Sequence, residues 1–569
     1  MSFPPSVLQD MARSQIGNEA TAKYFAASMA GIIVLIASIR LTAILFNRYA
    51  SAGIRKSVFV RPPIITSRYI RSVLLRKVPG FSSAGHALLV VTYVAINLIL
   101  LLTNINWATR IGIAKRCGWL ALLNICFITF LALKNTPLAF LTIHSYEKLN
   151  CLHQIGGYTV VAFVIVHFSM MSDYMVTNGY TMLLLEKPQI CAMVAGISMV
   201  LIGATATFLR KMQYEVFYVI HVTLFLLILI TVAMHRPSLA EKAVYIPIVT
   251  GCLWAADRIV RLGRLLWNLY GTRAHLTPLA NGGTRIVLSR SSTSVVPGAH
   301  CMLWIPAIRS LESHPFTIAS STATTLEFVV SAQDGFTRHL HEYAVRNPGA
   351  SLRASFHGPY GVFPNLSKSA ERVVLVAGGS GASFTFGVAL DMIAKVGVGS
   401  STKSIDFIWV VKHRDTLSWF SKEMAQLVNC PLVNLSIHCT STGGAASNSP
   451  PTTASDSSDQ EKGSRKFSSA SSSTALGMGA SRMGSESDVE KQQNATRALE
   501  VPSAVHILPG RPDVAFLISG VVDGAEASDR IVVAACGPHP LMNVVRSTVA
   551  DCVGTQGPSI SYHYEEFGW

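Results

Sequence analysis

Long apolar runs alternate with short polar ones through the first half of the chain, and this texture ends near Gly271. Seven runs reach or approach the ~20 residues that cross a bilayer as a helix. They lie at roughly 24–46, 85–103, 119–141, 152–172, 190–209, 214–235 and 244–265. The third is the weakest, because Lys134 and Asn135 fall inside it. From Gly271 to about Pro364, short β-type runs alternate with turns: TRIVLSR, CMLWIP, LEFVVSA and SLRASF. That pattern predicts a small antiparallel barrel.

From Arg372 the order becomes strand, glycine turn, helix, in RVVLVAGGSGASFTFGVALDMI. Further strands follow in IDFIWVV and RIVVAACGP, which together predict an α/β nucleotide-binding lobe. Between about Thr440 and Leu499 lies a tract rich in Ser, Gly and Ala with few large apolar side chains. It cannot bury enough apolar surface to order itself and is expected to be a disordered surface insertion. The chain thus divides into 1–83, a first span with a polar loop; 84–270, a helical membrane bundle; 271–368, the barrel; and 369–569, the α/β lobe, with the insertion at about 440–499.

Composition agrees with a membrane protein. Half of the 569 residues are hydrophobic, 14% are charged, and the mean hydropathy is +0.40. The formal net charge of +16 does not imply nucleic acid, because membrane proteins concentrate Lys and Arg in cytosolic loops. The segment 47–83 is such a loop, with Arg48, Arg55, Lys56, Arg61, Arg68, Arg71, Arg76 and Lys77. Placing it in the cytosol puts Arg210, Lys211, Arg258, Arg261, Arg264 and the whole second half there too, with the N-terminus outside. Arg110, Lys115 and Arg116 resist, since they fall in a loop that this topology places outside. The ten cysteines are scattered without a CxxC pair, which argues against a zinc site or a disulfide framework. The first apolar run is too long for the core of a signal peptide and is expected to stay as an anchor.

Four histidines carry the chemistry of the membrane half. His153 and His167 share one predicted span, and His221 and His235 share another. Both separations are 14 residues, roughly 21 Å of helical rise and within about 40° of whole turns. Each pair therefore lies on one helix face, with one imidazole toward each side of the membrane. His153 levels with His221, and His167 with His235. Facing imidazoles supply both axial ligands of a haem, and a saturated iron favours electron transfer. Two such pairs predict two haems stacked across the bilayer. His144 lies off this grid and is read as structural.

These paired histidines, followed by HPFT, GGSG, CGP and a terminal aromatic, resemble the ferric reductase/NADPH oxidase superfamily, and most of all the fungal ferric-chelate reductases. The likeness covers about residues 85–569 apart from the Ser-rich tract. It implies a ferredoxin-reductase-like second half, with FAD on the barrel and NADPH on the α/β lobe. His314, Pro315, Phe316 and Thr317 match the flavin-binding turn, and Thr337 and Arg338 open a short helix suited to the FAD pyrophosphate. Gly378, Gly379, Ser380 and Gly381 match the NADPH loop. Lys412 and Arg414, at a strand end, suit a 2′-phosphate, where an acidic residue would favour NADH. Cys536, Gly537 and Pro538 match the nicotinamide-side loop, and Phe567 or Trp569 the aromatic that shields the flavin.

The implied activity is NADPH-dependent reduction of ferric chelates, with cupric complexes as further substrates. Electrons would pass through FAD and two haem b groups to the far side of the bilayer. The likeness also implies a plasma or vacuolar membrane, and an iron-uptake route shared with a permease or ferroxidase. A superoxide-producing oxidase of the same architecture is the competing reading, and a degenerate haem-binding scaffold a remote one. NADPH oxidases resemble one another in a second histidine four residues after the outer ligand on the first haem helix. Here that position is Met171, a weak acceptor and no proton donor.

Overall fold

The computed structural model describes residues 5–49, 54, 57–105, 110–136, 138, 146–235, 241–290, 298–361, 366–396, 400–441, 505–554 and 556–565. His144, Phe567, Trp569 and the Ser-rich tract beyond 441 lie outside the described residues.

The first half is a helical bundle. Helix α1 spans Pro5–Tyr49, α2 Arg61–Leu75, α3 Ala84–Leu102, α4 Arg110–Ala132, α5 Tyr146–Thr177, α6 Lys187–Thr207, α7 Tyr214–Met234 and α8 Tyr245–Leu269. All but α2 are long and apolar enough to cross a membrane, seven candidate spans among the described residues. The chain is therefore an integral membrane protein.

Two expectations need correction. The third span is Arg110–Ala132, not 119–141. Helix α4 ends before Lys134 and Asn135, which lie in the turn that follows it, and takes in the basic residues at its other end instead. What admits them is specific bonding. The Arg116 side chain is 1% exposed. It donates to Asn18 Oδ1 (2.6 Å) and to the carbonyls of Leu100 (2.6 Å), Thr103 (2.7 Å) and Asn104 (2.9 Å). It thereby ties α1 to α4 and occupies orphan carbonyls at the end of α3. Arg110 pairs with Asp173 on α5 at 3.5 Å. The second is the reach of the first span: helix α1 begins well before the apolar run at Tyr24, and the candidate span Ala12–Phe46 takes in Arg13, Glu19 and Lys23. Deeper in the bundle, Tyr93 donates to Asn124 and Asn124 to Asn97, a buried polar chain that joins α3 to α4.

The basic loop holds an element that its polar texture concealed, the amphipathic helix α2. It docks on the second half. Arg68 donates to the Gly557 carbonyl at 2.8 Å, Arg71 to that of Ile560 at 2.9 Å, and Arg546 returns a bond to Ser82. The basic segment and the α/β lobe therefore share one side of the membrane.

Among the described residues the barrel region is built of two antiparallel sheets. Strands β1 (Arg273–Leu279), β2 (Gly283–Leu288), β3 (His300–Trp304), β4 (His314–Thr317), β5 (Ser320–Ser321), β6 (Leu326–Ser331), β7 (Ser351–Arg353) and β8 (Ser355–Tyr360) arrange as β5-β6-β2-β1-β7 and β4-β3-β8. Their inner faces share a core of Leu276, Ile286, Leu303, Phe328 and Phe356, closed by Phe336 and Leu340 of α9 (Phe336–Arg346).

The last lobe is a six-stranded parallel sheet of order β12-β11-β10-β9-β13-β14. Its strands are β9 (Arg372–Gly378), β10 (Ser404–Val411), β11 (Val433–Cys439), β12 (Ile507–Pro509), β13 (Arg530–Cys536) and β14 (Ser559–Glu565). Nearly continuous burial along β9 and β13 fits strands covered on both faces, here by α10 (Ala382–Ala394) and α11 (Ser421–Val428) on one side and α12 (Val514–Asp523) and α13 (His539–Cys552) on the other. The chain order reverses between β9 and β13, the point at which open α/β sheets bind ligands outside their carboxyl ends.

Candidate functional site

The four histidines come together as two stations, one near each end of α5 and α7. At the inner station the His153 and His221 rings have centroids 6.2 Å apart, tilted by 58°. Two imidazoles bound to a shared metal, each through one nitrogen at about 2 Å, have centroids roughly 6 Å apart. At the outer station His167 and His235 lie within electrostatic reach of each other. His235 sits one residue beyond the end of α7, as its C-cap, with φ −72° and ψ 58°.

The orientation of the rings is set by groups that carry no sequence signal. His153 Nδ1 donates to the Ile128 carbonyl at 2.8 Å, and His167 Nδ1 to that of Ala114 at 2.7 Å. Ala114 and Ile128 are themselves 14 residues apart on α4, so that helix repeats the spacing of the histidines in antiparallel sense. His235 Nδ1 donates to the Pro188 carbonyl at 3.0 Å. A ring that gives its Nδ1 proton to a carbonyl keeps the Nε2 lone pair free, the tautomer a metal ligand needs. His221 Nδ1 is buried without a hydrogen-bond partner. Among the described residues no three or more His, Cys, Asp or Glu side chains gather to hold a bare ion. Histidines in twos, three of the four held as free-Nε2 tautomers, fit the ligation of a flat macrocycle.

Gly118 makes the outer station possible. A Cβ there would lie 2.9 Å from both Cε1 and Nδ1 of His167, so only glycine lets that ring lie against α4.

Below the membrane, α8 runs directly onto the β4-β3-β8 sheet. Asn268 donates to the Phe356 carbonyl (2.8 Å), and Ser355 to that of Leu265 (2.5 Å). Burial holds the His357 imidazole down at about 3, helped by Arg261, Lys134, Arg264 and Arg258. It stays neutral and shares a 2.8 Å hydrogen bond with the Tyr360 hydroxyl. Burial pushes that phenol up to about 12, despite the arginines nearby. The boundary between the bundle and the sheet is thus strongly basic, with Asp257 as the acid that pairs with Arg261.

HPFT is a strand, not a turn: His314–Thr317 pairs with β3, with His314 opposite Leu303 and Thr317 opposite His300. His314 stacks on Phe336 with centroids 4.6 Å apart and shares a hydrogen bond with Glu312 at 3.1 Å. Pro315 and Phe316 are half-buried, and Thr317 is buried. Thr337 accepts from the Gln333 amide at 2.9 Å, and Arg338 is turned outward onto Asp334. Both lie in the first turn of α9, after Gly335 at φ +71°.

In the α/β lobe the two glycine motifs meet at the switch point. Gly378–Gly381 leaves β9, and Cys536–Pro538 leaves the adjacent β13. A Cβ on Gly378 would lie 2.6 Å from Pro538 Cδ, and one on Gly537 would lie 3.0 Å from Gly378 N. Gly379 takes φ +56°, and its carbonyl accepts from Trp409 at 3.1 Å. The Ser380 backbone belongs to the same tight turn, ahead of α10. Cys536 is buried, at 2% exposure. Lys412 and Arg414 are exposed just past the carboxyl end of β10, whose Val410 pairs with Gly378. Phe567 and Trp569 lie outside the described residues, and β14 brings Glu565 level with Cys536.

One cluster escaped the sequence reading. Arg285 of β2 donates to Glu327 (2.7 Å), to Glu423 of α11 (2.9 and 3.2 Å) and to the Trp419 carbonyl (2.6 Å). These bonds lock the sheet region to the α/β lobe. Charged residues scattered over 138 positions gave no pattern to detect.

Comparison with known proteins bears on this arrangement. Residues 117–232 match the model for the ferric reductase like transmembrane component, 277–364 that for an FAD-binding domain, and 370–550 that for the ferric reductase NAD binding domain. The chain carries a ferric reductase transmembrane domain, an FAD-binding domain and a ferric reductase NAD-binding domain, in that order. Among its relatives, "Ferric/cupric reductase transmembrane component 2" of Schizosaccharomyces pombe is 27% identical over 58% of this chain and 67% of that one. "Ferric reductase transmembrane component 1" of the same yeast is 24% identical over 81% and 80%. "Ferric/cupric reductase transmembrane component 1" of Candida albicans is 28% identical over 55% and 41%, so there the match spans less than half of the relative. A solved ferredoxin NADP+ reductase from Neisseria gonorrhoeae aligns with 51% of this chain and 98% of its own at 12% identity and a TM-score of 0.32, too distant a likeness to bear on function.

Proposed function

We propose that the chain is a transmembrane NADPH-dependent ferric-chelate reductase, active on cupric complexes as well, that delivers cytosolic electrons to the opposite side of the membrane. The observation that carries this reading is the pair of histidine stations, with three of the four imidazoles giving Nδ1–H to backbone carbonyls, directly above an FAD-binding and an NAD-binding domain. Bound flavin takes two electrons as a hydride and releases them singly, and bis-imidazole haem iron relays single electrons.

The chain's own residues supply the positions. His153 with His221, and His167 with His235, would hold the inner and outer haem. His314, Pro315, Phe316 and Thr317 would line the flavin site, and the first turn of α9, with Thr337 and Arg338, would face its pyrophosphate once Arg338 leaves Asp334. Gly378, Gly379, Ser380 and Gly381 bring backbone N–H groups to the nucleotide phosphates, beside Cys536, Gly537 and Pro538. Lys412 and Arg414 would favour the 2′-phosphate of NADPH. Phe567 or Trp569 would cover the flavin.

The test is the purified full-length protein with NADPH under nitrogen. Two haem equivalents should reduce, and added ferric chelate should reoxidise them. Met171 places a thioether where an oxidase has its histidine, so under air superoxide should be a minor product. If nearly all turnover is dismutase-sensitive and stops under nitrogen, the chain is an oxidase instead.

A further inference from the structure

Arg110, Lys115 and Arg116 sit together at the start of α4, at the end of the bundle that holds His167 and His235. This is the side where the positive-inside rule expects few cations. The structure accounts for two of them. Arg116 is consumed by four hydrogen bonds, and Arg110 is paired with Asp173. Lys115 is half-buried and makes no hydrogen bond or ion pair among the described residues. Its ammonium is within electrostatic reach of the His167 ring, and it follows Ala114, whose carbonyl fixes that ring. Two carboxylates at this end of the bundle are already engaged, Asp173 by Arg110 and Glu19 by Lys242. A half-buried cation without a partner at the rim of a low-dielectric bundle is costly, and an anion that the chain does not supply removes the cost.

We propose that Lys115 is a carboxylate-binding group at the outer end of the electron path. The carboxylate belongs either to an anionic ferric chelate docked over the outer station or to a propionate of the group held there. The proposal rests on the reading of the chain as a ferric-chelate reductase. Lys115 is a positioning residue: it sets where the negative charge sits relative to His167, and it has no part in the redox step.

The experiment uses the full-length protein in neutral-lipid nanodiscs, with K115M and K115Q as charge-removing variants and K115R as the conservative one. Ferric citrate serves as the anionic probe and ferric tris-maltolate as the neutral one. The midpoint potential of the outer haem is titrated in parallel. If the chelate supplies the carboxylate, K115M and K115Q raise KM for ferric citrate roughly ten- to a hundredfold, leave that for ferric maltolate unmoved, and are rescued by K115R. If a propionate supplies it, the two KM values stay level and the outer-haem potential falls, because a nearby cation that favoured the reduced form is gone. Unchanged KM values with an unchanged potential, or equal changes for both chelates with an unchanged potential, overturn the proposal. Wild-type protein that keeps its haems but reduces neither chelate defeats the functional reading, not this one.

Discussion

Gly118→Ala is the sharpest test of the histidine stations, because one methyl group is set against one ligand. The added Cβ would lie 2.9 Å from His167 Cε1 and Nδ1, about half an ångström inside ordinary van der Waals contact. The ring cannot simply retreat, since its Nδ1 is held at 2.7 Å by the Ala114 carbonyl on the same helix. Moving it away stretches that bond, and metal–ligand distances tolerate only about 0.2 Å. The loss should resemble that of an orienting partner, roughly a ten- to a hundredfold drop in affinity for the outer haem. The inner station, 14 residues away on the same helices, should keep its haem. The assay is haem content with a reduced-minus-oxidised spectrum and a redox titration, beside flavin reduction by NADPH, which should survive. Gly157→Ala on α5 is the control, since a Cβ there meets nothing within 4 Å. Two full haem equivalents with an unaltered outer potential in Gly118→Ala, or equal damage in Gly157→Ala, would refute the reasoning.

Arg414→Ala should raise KM for NADPH roughly ten- to a hundredfold with little change for NADH, because a charge-assisted phosphate contact is worth ~1.5–3 kcal/mol; equal shifts for the two nucleotides would remove Arg414 from the phosphate site. Replacing residues 445–495 by a short linker should leave NADPH oxidation intact, because β11 and β12 are paired neighbours and Gly510 N already bonds the Cys439 carbonyl at 2.8 Å; loss of FAD or haem would contradict it. Arg285→Met should destabilise the contact between the sheet region and the α/β lobe by ~3–5 kcal/mol, since it strands the buried Glu423 beside Glu327; thermal release of flavin reads this out, and an unchanged midpoint would show that the cluster carries no weight.

How much of this was legible in the sequence depended on whether the signal was local. The apolar runs, the 14-residue histidine spacing and the strand–glycine–helix order each depend on residues close in the chain, and all three stand in the structure with shifted edges. Hydropathy alone misplaced α4, because it counts Arg116 as a cost, whereas four specific hydrogen bonds make that charge part of the bundle. The same limit made HPFT read as a turn, since its pairing with His300–Leu303 depends on a strand ten residues away. It also hid α2, whose arginines reach carbonyls 489 positions distant.

The sequence by itself determined which residue types stand at which spacing along each element. It could do so because helical and strand periodicity follow from the backbone geometry of a few neighbouring residues. Only the tertiary structure decided which imidazole tautomer is held, that Gly118 opens the space for His167, that the glycine loops of β9 and β13 close on each other, and that Lys115 meets no partner among the described residues. Those outcomes rest on backbone carbonyls, missing side chains and distances between elements, and none of these is written in the identity of a residue.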